Sequence, residues 1–231
     1  MFLLIYKGVI MNTFKKFFFS MLFSLSSLSF AEISLSGNIA VTTDYIWRGL
    51  TQNAGDPSVS GGFDLEHDNG FYIGLWAANV SALNDTASDT VTLDDGTITT
   101  GSLELDGYLG FSGSLDENSG FDVGYIAYTY PGVDDWDFEE IYITFDFYGV
   151  YVTYADGVND AFDYGEIGYS IDAGPGSFSI SYGDYDENGT NYLVGYDWEV
   201  GDFTLGFYYS EYRDDDDATA DEDGGYFTIS Y

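Results

Sequence analysis

The sequence predicts an all-β protein: a transmembrane, antiparallel up-and-down β-barrel of about 12 strands, with short periplasmic turns and long acidic extracellular loops. Three observations predict it. Hydrophobicity alternates with period two along most of the chain from Ile33 onward, as strands with two unlike faces require. The connections between alternating segments fall into a short and a long class that take turns along the chain. A barrel with two unlike rims has a reason for that alternation, and a soluble β-sandwich has none. The composition is the third: 22 Tyr, 19 Phe and 29 Gly in 231 residues, with no Cys and 3 Pro, favours strands over helices.

The N-terminus reads as an address. Residues 1–31 contain no Asp or Glu and hold Lys7, Lys15 and Lys16. Lys15 and Lys16 precede the apolar stretch Phe17–Phe30, and Ser29-Phe30-Ala31 forms a small-x-small cleavage site. This is the layout of a secretory signal peptide over 1–31, removed to leave a barrel over 32–231, and Met11 serves as a start site with an ordinary n-region. An N-terminal membrane anchor is the alternative, but the apolar stretch is shorter than the ~20 residues a spanning helix needs. After cleavage, 40 acidic residues face only Arg48 and Arg213, a net charge of −38. An exported chain without a second apolar run can enter a membrane only as a closed sheet.

The twelve segments follow in order. Ile33, Leu35, Ile39 and Val41 alternate with Ser34, Ser36, Asn38 and Thr42 in the first. Val59, Phe63 and Leu65 oppose Ser60, Asp64 and Glu66; Phe71, Ile73 and Leu75 oppose Tyr72, Gly74 and Trp76. Leu103, Leu105, Leu109 and Phe111 oppose Glu104, Asp106 and Tyr108, and a weaker segment covers 121–130. Ile141, Ile143, Phe145 and Phe147 oppose Glu140, Tyr142, Thr144 and Asp146, followed by weaker segments at 150–155 and 164–172. Phe178, Ile180 and Tyr182 alternate with serines, a weaker segment covers 192–198, and Phe203, Leu205, Phe207 and Tyr209 alternate with Thr204, Gly206, Tyr208 and Ser210. The last segment, 225–231, places Phe227, Ile229 and Tyr231 on one face with an aromatic at the terminus, which resembles the signal read by the outer-membrane assembly machinery.

Short connections are expected at 67–70, 112–120, 148–149, 173–176 and 199–202. Longer acidic ones are expected at 44–57, 81–101, 131–137, 156–163, 185–191 and 213–224. The apolar face is almost free of charge, whereas Asp64, Glu66, Glu104, Asp106, Asp122, Glu140, Asp146, Glu166 and Asp197 fall on the other. A charge facing lipid at mid-bilayer costs a few kcal/mol, so these carboxylates should line the interior or its mouths. Inward Tyr72, Trp76, Tyr108, Tyr142, Tyr151 and Tyr208 should narrow it. Tyr45, Trp47, Phe71, Trp136, Trp198 and Phe203 stand near strand ends, where interfacial girdles form, although ordinary strand aromatics fit the same positions.

The first hairpin carries a more specific signal. Asp44-Tyr45-Ile46-Trp47-Arg48-Gly49-Leu50-Thr51-Gln52 is followed by Pro57-Ser58-Val59-Ser60-Gly61-Gly62-Phe63-Asp64, then His67, Gly70 to Trp76, and Asn79-Val80. Over roughly residues 36–80 this resembles the TorF family of porins, the Gcw_chp-type conserved proteobacterial outer-membrane proteins. The resemblance implies an outer-membrane barrel of porin function and supplies no substrate.

Candidate sites have competing readings. Asp184, Asp186 and Asn188 match the opening of a calcium loop, but position twelve is Gly195 where a bidentate Glu is required, and Asn188-Gly189 also reads as a hairpin turn. Asp214 to Asp217 with Asp221, Glu222 and Asp223 form a solvated anionic loop or a weak Ca²⁺ or Mg²⁺ site that bridges to lipopolysaccharide phosphates. His67 reads as a turn residue. Arg48 either bonds to lumen or loop carboxylates and folds an external loop over or into the mouth, or anchors the interface beside Trp47.

No Cys and one His remove thiol catalysis, Cys zinc sites and a His metal cage. The near absence of positive charge removes nucleic-acid binding. No G-x-S-x-G, phosphate loop or H-E-x-x-H occurs, so no enzyme and no cofactor is expected. The leading expectation is a passive outer-membrane channel of a Gram-negative bacterium, cation-selective through Asp64, Glu66, Glu104, Asp106, Asp122, Glu140 and Asp146 with Arg48 at the mouth. Its partners would be outer-membrane lipid, lipopolysaccharide, the assembly machinery and a small-solute cargo. The runner-up is a plugged barrel whose acidic loops bind divalent cations or a partner at the cell surface. A secreted acidic β-sandwich is third.

Overall fold

The computed structural model describes residues 33–81, 91–92, 98–99, 103–132, 136–159, 161–186 and 188–231. The expected signal peptide and most of the expected 81–101 loop lie outside these residues. Twelve strands close into one antiparallel barrel. They are β1 (Ile33–Thr42), β2 (Ser58–His67), β3 (Phe71–Ala78), β4 (Glu104–Asp116), β5 (Ser119–Thr129), β6 (Phe138–Phe147), β7 (Val150–Val158), β8 (Tyr164–Ala173), β9 (Gly176–Tyr185), β10 (Gly189–Val200), β11 (Phe203–Asp214) and β12 (Glu222–Ser230). Each pairs with its chain neighbours, and β12 returns to β1 through Ala40 opposite Ser230 and Thr42 opposite Thr228. Closure leaves no strand edge unpaired, which is what a sheet needs to sit in hydrocarbon.

The strand count agrees with the alternation, but several boundaries move. β4 continues to Asp116 and β5 begins at Ser119, so the expected connection 112–120 is a two-residue turn. Ser112, Gly113 and Ser114 read as a loop by composition, yet they pair with Asp122, Phe121 and Gly120. A register shift between Ser114 and Asp116 breaks the period there and hides the strand from a period-two reading. The same extension shortens the expected 185–191 connection to 186–188, and 213–224 to 215–221.

One rim carries turns of two or three residues, at 68–70, 117–118, 148–149, 174–175 and 201–202. The other carries the longer connections, including the segment from Thr43 to Pro57, except that 186–188 is as short as 68–70 and breaks the expected alternation of lengths. The outer face is apolar: Leu35, Phe63, Phe145, Ile167, Ile180 and Phe207 are each about half exposed or more. So contiguous an exposed apolar band marks a surface meant for a nonaqueous neighbour. Buried side chains gather inside the barrel near the long-connection rim, where Ala155, Tyr164, Tyr185 and Tyr212 form one cluster and Val80, Tyr128 and Tyr130 another.

Candidate functional site

The lumen has three tiers. At the short-turn rim it opens into a vestibule of about 940 Å³ whose wall includes Asp68, Asp116, Glu117, Asp122, Asp146 and Asp172. Serines and glycines make up about half of the remaining wall, beside Phe121, Tyr148, Tyr169 and Ile171, and no basic residue lines it. A low-dielectric wall lined by one sign of charge concentrates counter-ions.

The middle tier is built from tyrosine and glycine. Tyr72 faces Gly110, Tyr108 faces Gly74, Tyr142 faces Gly124, Tyr151 faces Gly168 and Tyr208 faces Gly195 across adjacent strands. At each glycine a Cβ would overlap the tyrosine, so each ring lies flat on its neighbour's bare backbone. The phenols so placed reach carboxylates: Tyr72 donates to Asp122 at 2.6 Å, Tyr151 donates to Glu166 at 2.7 Å, and Tyr108 and Tyr208 donate to Asp64 and Asp197. Tyr72 and Tyr142 also share a hydrogen bond of 2.5 Å. Flat rings keep space along the axis, and bonded phenols hold the carboxylates in fixed positions.

The third tier is a hairpin inserted from the long-connection rim. Ile46 and Trp47 pair with Thr51 and Leu50 around a two-residue turn, Arg48-Gly49. Both turn residues have positive φ, 48° at Arg48 and 91° at Gly49, the signature of a type I′ turn. A Cβ at Gly49 would sit 2.7 Å from Cβ of Asn191, so only glycine lets the tip press against β10. Arg48 donates Nη1 and Nη2 to the two oxygens of Glu140 at 2.6 and 2.7 Å. Its guanidinium also lies 4.0 Å from the ring centre of Tyr164 and 4.4 Å from that of Trp47.

Burial opposes the charge on Arg48, but the bonds to Glu140 outweigh it and hold its pKa above the ordinary value. The Tyr45 phenol is likewise pushed up, by burial first and then by the nearby Glu104 and Asp106. Trp47 bridges the two buried clusters, edge-on to Tyr128 at 5.6 Å. The backbone N–H of Thr51 donates to Glu222 at 2.8 Å. From β6 on one side to β12 on the other, the segment spans the lumen.

Of the sequence-predicted residues, Asp64, Glu66, Glu104, Asp106, Asp122, Glu140 and Asp146 all stand on inward positions. They are not one group. Asp122 and Asp146 line the vestibule, Asp64 lies in the tyrosine tier, and Glu104, Asp106 and Glu140 are buried beside the hairpin. Tyr45, Trp47 and Trp136 are not girdle residues: the first two fold into the lumen and Trp136 packs on Tyr130 at 5.9 Å. The outer face carries other aromatics at the long-connection end, where Tyr154 donates to Asp163 at 2.7 Å and Tyr209 to Asp223 at 3.2 Å. Trp198 and Phe203 are exposed near the short-turn rim, and Phe203 meets Tyr231 at 5.4 Å.

Asp184 is exposed on the outer face, while Asn188 closes a turn by donating its N–H to the carbonyl of Tyr185 at 3.1 Å. Among the described residues no group of three or more His, Cys, Asp or Glu side chains is placed to hold a metal ion. Asp214 to Asp217 tie themselves together, Asp214 accepting from the N–H groups of Asp216 and Asp217 at 2.9 and 2.7 Å. His67 accepts from the N–H of Asn69 at 3.1 Å within its turn. Phe227, Ile229 and Tyr231 share the outer face of the last strand, and Tyr231 and Ile39 exchange backbone hydrogen bonds. Sequence reasoning missed Tyr164 and Tyr185 as the seat of Arg48. It also missed the pairing of each lumen tyrosine with a glycine, which needs the strand register to be seen.

Residues 29–220 match the family described as "Bacterial protein of unknown function (Gcw_chp)". No curated protein matches the chain. Among solved structures, the KdgM porin aligns over 84% of this chain and 98% of its own, at 7% identity and a TM-score of 0.55. A structure described as "Asymmetric conductivity of engineered proteins" aligns over 87% of this chain and 99% of its own, at 13% identity and a TM-score of 0.38. The outer membrane protease OmpT of Escherichia coli aligns over 87% of this chain and 92% of its own, at 12% identity and a TM-score of 0.24. The likeness to the KdgM porin is one of fold: a closed antiparallel barrel of twelve strands in this chain.

Proposed function

The chain belongs to the Gcw_chp family of bacterial proteins, and from that premise we propose that it is a porin-like diffusion channel of the Gram-negative outer membrane, selective for small cations. The observation that carries the reading is the inner wall, where carboxylates from the vestibule to the tyrosine tier face an axis that an apolar outer band isolates from lipid. The KdgM porin supports it by fold, and the resemblance of residues 36–80 to the TorF family supports it by sequence. Carboxylates lower the energy of a cation on the axis and raise that of an anion. Twelve strands enclose less space than the 16–18 of general porins, and the hairpin narrows the passage further, so the cargo is small.

In this reading residues 1–31 export the chain, Phe227, Ile229 and Tyr231 engage the assembly machinery, and the long acidic connections face outward toward lipopolysaccharide, with no cofactor. Asp64, Glu66, Asp122 and Asp146 set selectivity, and Arg48 holds the constriction.

A second reading has a specific observation behind it. The hairpin reaches strands on opposite sides of the lumen, so it also suits a plugged barrel that works through its acidic loops, with Ca²⁺ or Mg²⁺ or a partner held at the cell surface. Flux decides. Proteoliposomes carrying the refolded mature chain should pass potassium faster than chloride and exclude oligosaccharides; vesicles as tight as protein-free controls would favour the plug.

A further inference from the structure

Two carboxylates of the lumen wall lack a counter-charge among the described residues. Glu104 and Asp106 stand two residues apart on the inner face of β4 and are 2% and 4% exposed. A strand rises by about 6.8 Å over that step, so the two anions lie within reach of one another and of one small ion. Asp106 is flanked by Trp76 on β3 and Tyr128 on β5. Tyr45, edge-on to Trp76 at 5.5 Å, covers the pair and donates to Oε1 of Glu104 over 3.4 Å. The Tyr130 phenol also faces Glu104, yet Oε2 of Glu104 and Oδ1 of Asp106 are buried with no hydrogen bond of normal geometry.

Only three other buried side-chain atoms among the described residues are in that condition, and two of them, Oδ1 of Asn53 and Oγ of Ser81, belong to the adjoining segments. The N–H of Ser81 donates to the carbonyl of Gln52 at 3.1 Å, which docks the returning arm of the hairpin segment on the end of β3, beyond Ala78 opposite Glu104. Of these four oxygens, that of Asn53 lies on the hairpin segment, that of Ser81 just beyond β3, and the two carboxylate oxygens on β4.

No basic group in the described residues is available to them. Arg48 is committed to Glu140, Arg213 sits with Glu211 at 2.8 Å and Asp221 at 3.5 Å, and His67 belongs to a turn at the opposite rim. Buried anions persist when paired or coordinated to a metal. Two carboxylates call for a divalent ion, and a donor set made only of oxygens suits a hard ion whose coordination is flexible, such as calcium.

We propose that Glu104 and Asp106 bind a Ca²⁺ ion inside the barrel beneath Tyr45, tying the hairpin segment to the wall. This site is distinct from the acidic loops, and its occupancy does not depend on whether the barrel conducts.

The test uses the refolded mature chain in detergent micelles, stripped with a chelator, titrated with Tb³⁺ and competed with Ca²⁺. Tyr45, Trp76 and Tyr128 should sensitise Tb³⁺ luminescence at one saturable site. Asp106→Asn and Glu104→Gln should each weaken that site at least tenfold, while the loop variant Asp215→Asn with Asp216→Asn should leave it unchanged. Calcium should raise the unfolding temperature of the wild type but not of Asp106→Asn, and in chelator Asp106→Asn should be the more stable of the two. Equal binding by wild type and Asp106→Asn, or no saturable site in the wild type, would overturn the proposal. So would stabilisation of the wild type by acid and not by calcium, because a shared proton would then be the counter-charge. Should Asp106→Asn not refold, Glu104→Gln carries the same comparison, with folding read from the heat-dependent gel shift of the barrel.

Discussion

Arg48 and Glu140, 92 residues apart in the chain, meet in the lumen through two parallel bonds of 2.6 and 2.7 Å. Their side chains are 14% and 3% exposed, so the pair is shielded from water on nearly every side. A guanidinium reaches a carboxylate with two bonds at once, which fixes orientation as well as distance. The contact therefore positions the hairpin across the barrel.

Arg48→Ala should release the hairpin. Removing one partner of a buried pair leaves the other charge uncompensated, at a cost of about 3–5 kcal/mol. Single-channel conductance should rise, and Arg48→Ala combined with Glu140→Gln should recover much of the lost stability in urea unfolding. An unchanged conductance in Arg48→Ala would count against the constriction.

Gly168→Ala should push Tyr151 off the wall. The added Cβ would overlap the Tyr151 ring, and overpacking of this kind costs about 1–3 kcal/mol. Gly165→Ala, three residues away on the same strand with nothing within 4 Å of its Cβ, should be neutral. Thermal unfolding of the two variants compares them directly, and lower conductance in Gly168→Ala would show the ring swinging into the lumen.

The two faces of β6 should respond oppositely to a positive charge. Ile143 points outward and Thr144 inward, where it shares a hydrogen bond of 2.8 Å with Thr153. Ile143→Arg should cost about 2–4 kcal/mol of folding stability in lipid vesicles. Thr144→Arg should leave folding in vesicles largely intact and shift the reversal potential toward anions. Equal destabilisation by both would mean that the assigned faces are wrong.

Tyr231→Ala should separate assembly from stability. Beyond one contact with Phe203 and the backbone bonds to Ile39, the ring does little for the fold. Refolding in detergent should proceed almost as in the wild type, whereas the amount inserted in cells should fall several-fold. Normal insertion in cells would remove the terminal aromatic from the assembly signal.

The barrel was legible because its two faces meet different media. Phe63 beside Asp64, or Ile143 beside Thr144, repeats the contrast of a strand with one apolar and one polar face, and a one-residue slip would reverse it. The stretch from Ser112 to Gly120 was not legible: its Ser, Gly and Asn suit turns, and the register shift at Ser114 and Asp116 interrupts the period. Tyr45 and Trp47 were misplaced because an aromatic near a strand end reads alike whether its segment flares outward or folds inward. The direction is set by the Arg48-Gly49 turn and by Glu140, and a lone cation beside Gly-permissive turn chemistry was the available signal.

The most direct measurement is single-channel current through the refolded mature chain in a planar bilayer under a KCl gradient. Discrete steps with a reversal potential close to that of potassium are the predicted result. Steps reversing near the chloride potential would contradict carboxylate control of the lumen, and insertion without steps would contradict the channel itself.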